Sequence, residues 1–117
     1  MSFGQRFTIT PIQLVSAVSA IANDGILMKP RIVKQIINPE TGTTTDIEPV
    51  QVRQVISKST SERMRNLMKS VVDDGSGRLA KVEGYSIGGK TGTSEPQAGR
   101  EDEGYIASYV AIAPTCL

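Results

Sequence analysis

The residues best suited to chemistry lie in one short run, Lys90-Thr91-Gly92-Thr93-Ser94. The run combines an ammonium group, several hydroxyl groups and a glycine. An ammonium beside hydroxyl and backbone N–H groups can bind a carboxylate and stabilise developing negative charge. Gly92 would let a peptide approach the backbone closely, because glycine carries no side chain. The run therefore predicts a site for an anionic, peptide-like ligand on an extended strand.

Residues 84–91 also match the phosphate-binding pattern G-x-x-x-x-G-K-[ST] through Gly84, Gly89, Lys90 and Thr91. In that loop, backbone N–H groups hold phosphates at a helix N-terminus and the hydroxyl holds Mg²⁺. The sequence on either side of residues 84–91 does not fit a phosphate-binding loop. Residues 78–83 are charged rather than a buried strand, and residues 92–96 are poor helix sequence. Nucleotide binding therefore stays a minor alternative.

Lys90-Thr91-Gly92 is also the K-T-G element that accompanies S-x-x-K and S-D-N in serine β-lactamases and penicillin-binding proteins. Upstream lie Gly4-Gln5, Thr10-Pro11-Ile12-Gln13-Leu14 and Ala20-Ile21-Ala22-Asn23-Asp24-Gly25. These segments, and their order along the chain, resemble the corresponding region of class B penicillin-binding proteins. There G-Q-x-x-x-x-T-P-x-Q-L opens a helix ending in A-x-A-N-x-G, and G-K-T-G-T follows a hairpin and a second helix. The resemblance covers residues 4–114.

The resemblance implies a fold and a reaction. The fold would be α+β, with antiparallel sheet strands packed with two amphipathic helices, as part of the serine β-lactamase and penicillin-binding transpeptidase fold. The reaction would be D,D-transpeptidation, in which a serine attacks a D-Ala-D-Ala bond and the acyl group passes to a neighbouring stem peptide of peptidoglycan. β-Lactams resemble that substrate and trap the acyl-enzyme. Lys90 and Thr91 would be catalytic, and Gly92, Thr93 and Ser94 would bind substrate, without a metal or organic cofactor.

The serine nucleophile of that reaction is missing from the sequence. No serine has lysine three residues later, and no serine has asparagine two residues later. We therefore expect residues 1–117 to be an incomplete, C-terminal portion of a penicillin-binding transpeptidase domain, with S-x-x-K and S-x-N upstream. The resemblance then places the full protein at the extracytoplasmic face of the cell membrane, anchored by a segment outside this chain.

The sequence predicts two helices that position the candidate site. Thr10 as N-cap, Pro11 at the first helical position and Gln13 form a capping box, and Gly25 ends the first helix. A second capping box is predicted at Ser59-Thr60-Ser61-Glu62. The apolar stripe of the second helix, expected to be core, consists of Met64, Leu67, Met68, Val71 and Val72.

The remaining segments are predicted as strands and turns. A hairpin is expected from residues 31–37 through a turn at 38–42 and a threonine-rich return, and a short strand at residues 50–56. One helical turn is expected in residues 78–82. Two strands are expected at residues 85–93 and 105–113, joined by a polar loop, with Gly88, Gly89 and Gly92 as candidates for a bulge.

Composition excludes several other functions. The 117 residues contain no histidine, which removes Ser-His-Asp triads and histidine metal sites. The formal net charge of +1, the 4% aromatic content and the absence of tryptophan argue against nucleic-acid binding. The longest apolar stretch, residues 14–22, is too short to cross a bilayer.

A further alternative is a non-catalytic binding or assembly module. The apolar residues 105–113 would form an exposed strand edge, and such edges pair readily with other chains. The isolated chain could then dimerise through its strand edges.

The missing nucleophile generates a first prediction. The 117-residue chain alone is expected to form no stable adduct with benzylpenicillin, because it lacks the serine that would be acylated. Intact-mass spectrometry after incubation with benzylpenicillin tests this. A stable mass increase of one penicilloyl group would contradict it.

Overall fold

A computed structural model describes residues 8–96, 102 and 104–115 of the chain. The elements, in chain order, are α1 (Pro11–Ala22), β1 (Ile26–Met28), β2 (Gln35–Ile37), β3 (Thr44–Asp46), β4 (Gln51–Gln54), α2 (Lys58–Asp73), a 3₁₀ turn (Arg78–Ala80), β5 (Gly88–Ser94) and β6 (Ile106–Ile112). The strands form three antiparallel pairs, β1–β4, β2–β3 and β5–β6. The α+β prediction is confirmed. The Gly4-Gln5 part of the upstream motif and most of the loop before β6 lie outside the described residues.

Helix α1 begins where its sequence predicts and ends at Ala22, with Asn23 as C-cap, shortly before the predicted stop at Gly25. The Gln13 backbone N–H donates to Thr10 Oγ1 at 3.3 Å, and the Thr10 N–H donates to Gln13 Oε1 at 2.9 Å. Both bonds of the capping box are therefore present, with Pro11 directly after the cap. After the helix, Gly25 has a φ of +83°, and a Cβ there would lie 2.1 Å from the Ile56 carbonyl oxygen. Glycine is required at this turn for both reasons.

The segment between the helices contains the predicted hairpin. Strands β2 and β3 pair through Ile36 and Thr45, and the turn between them is closed by Asn38, whose side chain accepts from the Glu40 N–H at 2.9 Å. The predicted strand at residues 50–56 is confirmed as β4. Its partner β1 was not predicted, because a three-residue strand has too short a pattern to be recognised without its neighbour.

Helix α2 differs from its prediction in two respects. It begins two residues earlier than predicted, because the N-cap is Ser57, whose hydroxyl accepts from the Thr60 N–H at 3.2 Å. The predicted core stripe was only partly right, since Leu67 is 63% exposed and Met64 is also exposed. The buried face of α2 consists of Ser61, Arg65, Met68 and Val72.

Polar contacts explain why Ser61 and Arg65 are buried. The Ser61 hydroxyl donates to the Ile21 carbonyl oxygen near the C-terminus of α1. The Arg65 guanidinium donates to Ser61 Oγ at 2.8 Å and to Asp24 Oδ1 at 3.1 Å. Asp24 also pairs with the Lys58 ammonium at 2.8 Å. The first half of α2 is thus bound to the C-terminal end of α1, where carbonyl groups lack partners within their own helix.

The second half of α2 packs against the start of β5. A Cβ added at Gly88 would lie 3.0 Å from Met68 Cβ and 2.8 Å from Thr115 Cγ2. Thr115 is itself buried, and its N–H donates to the Ser86 carbonyl oxygen at 3.0 Å. The β5–β6 register is uninterrupted from Gly88 opposite Ile112 onwards, so the glycines do not form the bulge that was considered. At Gly88 the missing side chain instead permits close packing.

Lowering the pH is expected to destabilise the fold partly through Asp24. Hydrogen bonds from Lys58 and then from Arg65 hold the pKa of the Asp24 carboxyl below its usual range. A group whose pKa falls on folding contributes stability above its unfolded value of about 3.9, and that contribution is lost as the pH falls through the lower folded value. Stability should therefore fall more steeply in the wild type than in Asp24→Asn between about pH 5 and pH 2.

Urea midpoints measured across this pH range test the prediction. Glu48→Gln, a change at an exposed carboxylate, serves as the control and should keep the wild-type slope. Identical slopes for Asp24→Asn and the wild type would show that Asp24 plays no part in the acid response.

Gly88→Ala is expected to lower the free energy of unfolding by about 1–3 kcal/mol, because its Cβ meets the firmly held Met68 and Thr115. Gly92→Ala, on the same strand, is the matched control. Its Cβ would meet Ser108 Oγ at 2.8 Å, the end of a side chain that can rotate away. Urea denaturation measures both changes. Equal destabilisation by the two variants would argue against close packing specific to Gly88.

Candidate active site

The candidate site residues all lie on strand β5. Thr91 pairs with Tyr109 and Thr93 with Ala107 across the β5–β6 ladder. Successive side chains of a strand point to opposite faces. Thr91 and Thr93 therefore share one face, whereas Lys90 shares the other with Gly92 and Ser94. The strand thus brings the two threonines together and separates Ser94 from them.

The two edges of β5 are also distinct. The Ser86 carbonyl oxygen accepts from the Thr115 N–H, and the Gly92 carbonyl oxygen accepts from Ser108 Oγ at 3.3 Å, so both carbonyls point toward the β6 side. Backbone groups of alternate residues in an antiparallel strand point to opposite edges. The backbone N–H and C=O groups of Thr91 and Thr93 therefore point to the other edge. Among the described residues, no strand pairs with that edge.

Lys90 reaches this open edge with its side chain. The Lys90 side chain is exposed, and its Nζ donates to the Thr91 carbonyl oxygen at 2.8 Å. The ammonium group thus binds the Thr91 backbone at the edge that no described strand covers, although the Lys90 and Thr91 side chains leave opposite faces. An open edge with N–H donors, an exposed ammonium and adjacent hydroxyl groups can bind an extended peptide as an added strand and hold its carboxylate.

The phosphate-loop interpretation is wrong. A phosphate loop requires a helix directly after the lysine and threonine, so that the helix N-terminus faces the phosphates. Here the chain continues as β5 through Ser94. The described part of the chain also contains no group of three or more acidic or cysteine side chains that could hold a metal ion.

Two cavities among the described residues are lined by residues outside β5. One, of about 580 Å³, separates α1 from the β1–β4 pair, and its walls include Ile12, Ala20, Leu27 and Val52. Another, of about 260 Å³, lies between α1 and β6. The exposed wall of the first cavity is almost entirely apolar.

Sequence reasoning missed one residue beside the site, Tyr109. It lies opposite Thr91, and its phenol oxygen occupies space that a side chain on Gly89 would need. The sequence carried part of the signal: the register of the predicted strands, residues 85–93 and 105–113, pairs Tyr109 with Gly89, two residues from the partner that the structure shows. The tyrosine was instead treated as one member of an apolar strand.

The family model described as penicillin binding protein transpeptidase domain matches residues 1–116. Stage V sporulation protein D of Bacillus subtilis is 44% identical over 116 residues, which cover 97% of this chain and 18% of that protein. A probable peptidoglycan D,D-transpeptidase, PenA of Neisseria meningitidis, is 33% identical over 117 residues, covering 97% of this chain and 18% of the relative. The chain therefore spans about a fifth of the length of these curated relatives.

Solved structures agree with the sequence relatives. Penicillin-binding protein 3 of Mycobacterium tuberculosis, in complex with ampicillin, superimposes with a TM-score of 0.78 at 32% identity. The similarity covers 92% of this chain and 26% of that one. With a family match over nearly every residue and a shared fold at this identity, the chain belongs to the penicillin-binding protein transpeptidase family, as its motifs predicted.

Proposed function

We propose that this chain supplies the Lys-Thr-Gly strand of a peptidoglycan D,D-transpeptidase. The observation that carries the proposal is the open edge of β5, where the Lys90 ammonium donates to the Thr91 carbonyl oxygen. The names of the relatives support it, since PenA of Neisseria meningitidis is called a probable peptidoglycan D,D-transpeptidase. The substrate would be a stem peptide ending in D-Ala-D-Ala, bound along this edge.

The reaction would proceed through an acyl-serine. The serine hydroxyl attacks the carbonyl carbon between the two D-alanines, an ester bond forms, and the C–N bond breaks to release D-alanine. The amine of a second stem peptide then attacks the ester, which forms the cross-link and frees the serine. We assign Lys90 and Thr91 to proton transfer and to the substrate carboxylate.

Gly92, Thr93 and Ser94 would bind the substrate. The missing side chain of Gly92 would leave room for the peptide, and Thr93 would offer its hydroxyl to the carboxylate. The outward-pointing Thr93 N–H is suited to stabilise the oxyanion that forms when the serine attacks. Ser94, on the opposite face from Thr93, would contact the part of the ligand that extends past the strand edge.

We further propose that residues 1–117 are the C-terminal portion of the transpeptidase domain, and that the rest of the domain supplies S-x-x-K and S-x-N. The small core supports this. Buried apolar side chains in the described residues are Ala20, Met68, Val72 and Ile112. Large apolar side chains such as Leu79 and Ile32 are fully exposed, and the cavity beside α1 is apolar. The remaining domain would cover these surfaces.

The whole protein would act at the extracytoplasmic face of the cell membrane, because peptidoglycan is assembled there. Neither described helix is long and apolar enough to span a membrane. We propose that a segment outside this chain provides the anchor. Ampicillin is bound in the similar structure from Mycobacterium tuberculosis, and we propose that β-lactams also acylate the longer protein.

Intact-mass spectrometry with benzylpenicillin tests this function on the polypeptide extended upstream in its gene. The extended protein is expected to gain one penicilloyl group, and Lys90→Ala is expected to slow acylation by a factor of about 100 or more, because proton transfer loses its ammonium group. Lys29→Ala, a change at a lysine remote from β5, should acylate at the wild-type rate.

A folded extended protein that binds no penicilloyl group would contradict the transpeptidase proposal. It would favour the assembly-module alternative, in which the open edges of β5 and β6 pair with a second copy of the chain. Sedimentation of that protein would then distinguish a dimer from a monomer.

A further inference from the structure

The ring of Tyr109 crosses strand β5 at Gly89, the residue before Lys90. The Tyr109 backbone lies on β6 opposite Thr91. Its side chain reaches Gly89, where an added Cβ would lie 2.1 Å from the phenol oxygen and 2.5 Å from Cζ. The same oxygen lies 3.0 Å from the position that a Cβ on Gly77 would occupy. The ring therefore passes over β5 at Gly89, and its hydroxyl end lies beside the turn that follows α2.

We propose that Tyr109 is a positioning residue for the Lys90–Thr91 edge. This inference rests on the proposed function of that edge. The ring lies between the β5 backbone and the turn at Gly77, so it fixes the distance between the strand and the end of α2. Because Gly89 is bonded directly to Lys90, a shift of the strand at Gly89 moves the ammonium group and the Thr91 backbone with it.

The two glycines are what permit this arrangement. Any side chain on Gly89 would occupy the position of the ring, and one on Gly77 would press on its hydroxyl end. An aromatic side chain has two torsions and is rigid once its ring is held, so it is well suited to hold a backbone in place. Tyr109 is 41% exposed, so burial of its own apolar surface is a weak reason for its position.

A double-mutant cycle on the longer, acylating polypeptide tests the role. Stopped-flow measurements with a fluorescent penicillin separate the binding constant from the first-order acylation rate. Gly89→Ala is expected to lower the acylation rate about tenfold or more, because small displacements of reacting groups are costly, and to leave the binding constant nearly unchanged. In a Tyr109→Ala background the same glycine change should cost less than about threefold, since the ring it displaces is gone.

Conservative and control variants complete the cycle. Tyr109→Phe keeps the ring and should retain the acylation rate within about twofold, whereas Tyr109→Ala should lower it about tenfold. Tyr105→Ala removes an exposed tyrosine just before β6 and should leave the rate unchanged. If Gly89→Ala does not fold, the contrast between Tyr109→Phe and Tyr109→Ala decides the matter.

The acylation rates distinguish the positioning role from ordinary packing and from failure of the proposed function. An equal effect of Gly89→Ala in both backgrounds, or an unchanged acylation rate in Tyr109→Ala, would overturn the positioning role while the wild type is still acylated. A loss that appears only in the thermal unfolding midpoint would overturn it too, because ordinary packing explains that result. Failure of the wild type itself to be acylated would contradict the proposed function and this inference together.

Discussion

The contact between α2 and the start of β5 is the constraint on which the candidate site depends. Gly88 brings the strand backbone against Met68 of the helix and against Thr115, which follows β6. Closely packed interiors transmit displacement, because neighbouring groups have little free space into which they can relax. The position of α2 therefore sets the position of β5, and through it the position of Lys90.

The other end of the same helix is held by polar groups. Ser61 and Arg65 bind the carbonyl groups at the end of α1 and the carboxylate of Asp24. Such contacts are directional, so they fix the angle between the two helices more narrowly than apolar packing does. A continuous set of contacts thus runs from the end of α1, through α2, to the strand that carries the candidate site.

The sequence predicts correctly those features whose interacting residues are close together in the chain. The capping box at Thr10 and the turn at Asn38 involve residues only a few positions apart, so their chemistry is visible in the sequence. The start of α2 was placed two residues late because several neighbouring hydroxyl residues could each act as the cap. In the structure the backbone leaves the extended conformation at Ser57, with φ −67° and ψ 155°, so Ser57 is the cap.

Features that depend on distant partners could not be obtained in this way. The apolar stripe favoured Leu67 as core, but the partners of α2 include carbonyl groups and a carboxylate more than 35 positions earlier in the chain. Those partners bury Ser61 and Arg65 and leave Leu67 exposed. Strand β1 is recognised only through its pairing with β4. The packing role of the β5 glycines is visible only from the atoms that surround them in the fold. The sequence predicted that residues 90–93 share a strand, but not that Ser94 continues it, nor which edge of that strand is open.

Under the proposed function, the open edge restricts the positions from which a serine nucleophile could reach the site. The Lys90 side chain leaves one face of β5 and the threonine side chains leave the other, so a group above either face would meet only part of the site. At the edge, the Lys90 ammonium donates to the Thr91 carbonyl oxygen, and the backbone groups of Thr93 point to the same edge. Under the proposed function, a serine that uses both the ammonium and the Thr93 N–H must therefore approach along this edge. The substrate then has to bind between the serine and the strand, which is the arrangement that a peptide added to a sheet edge would adopt.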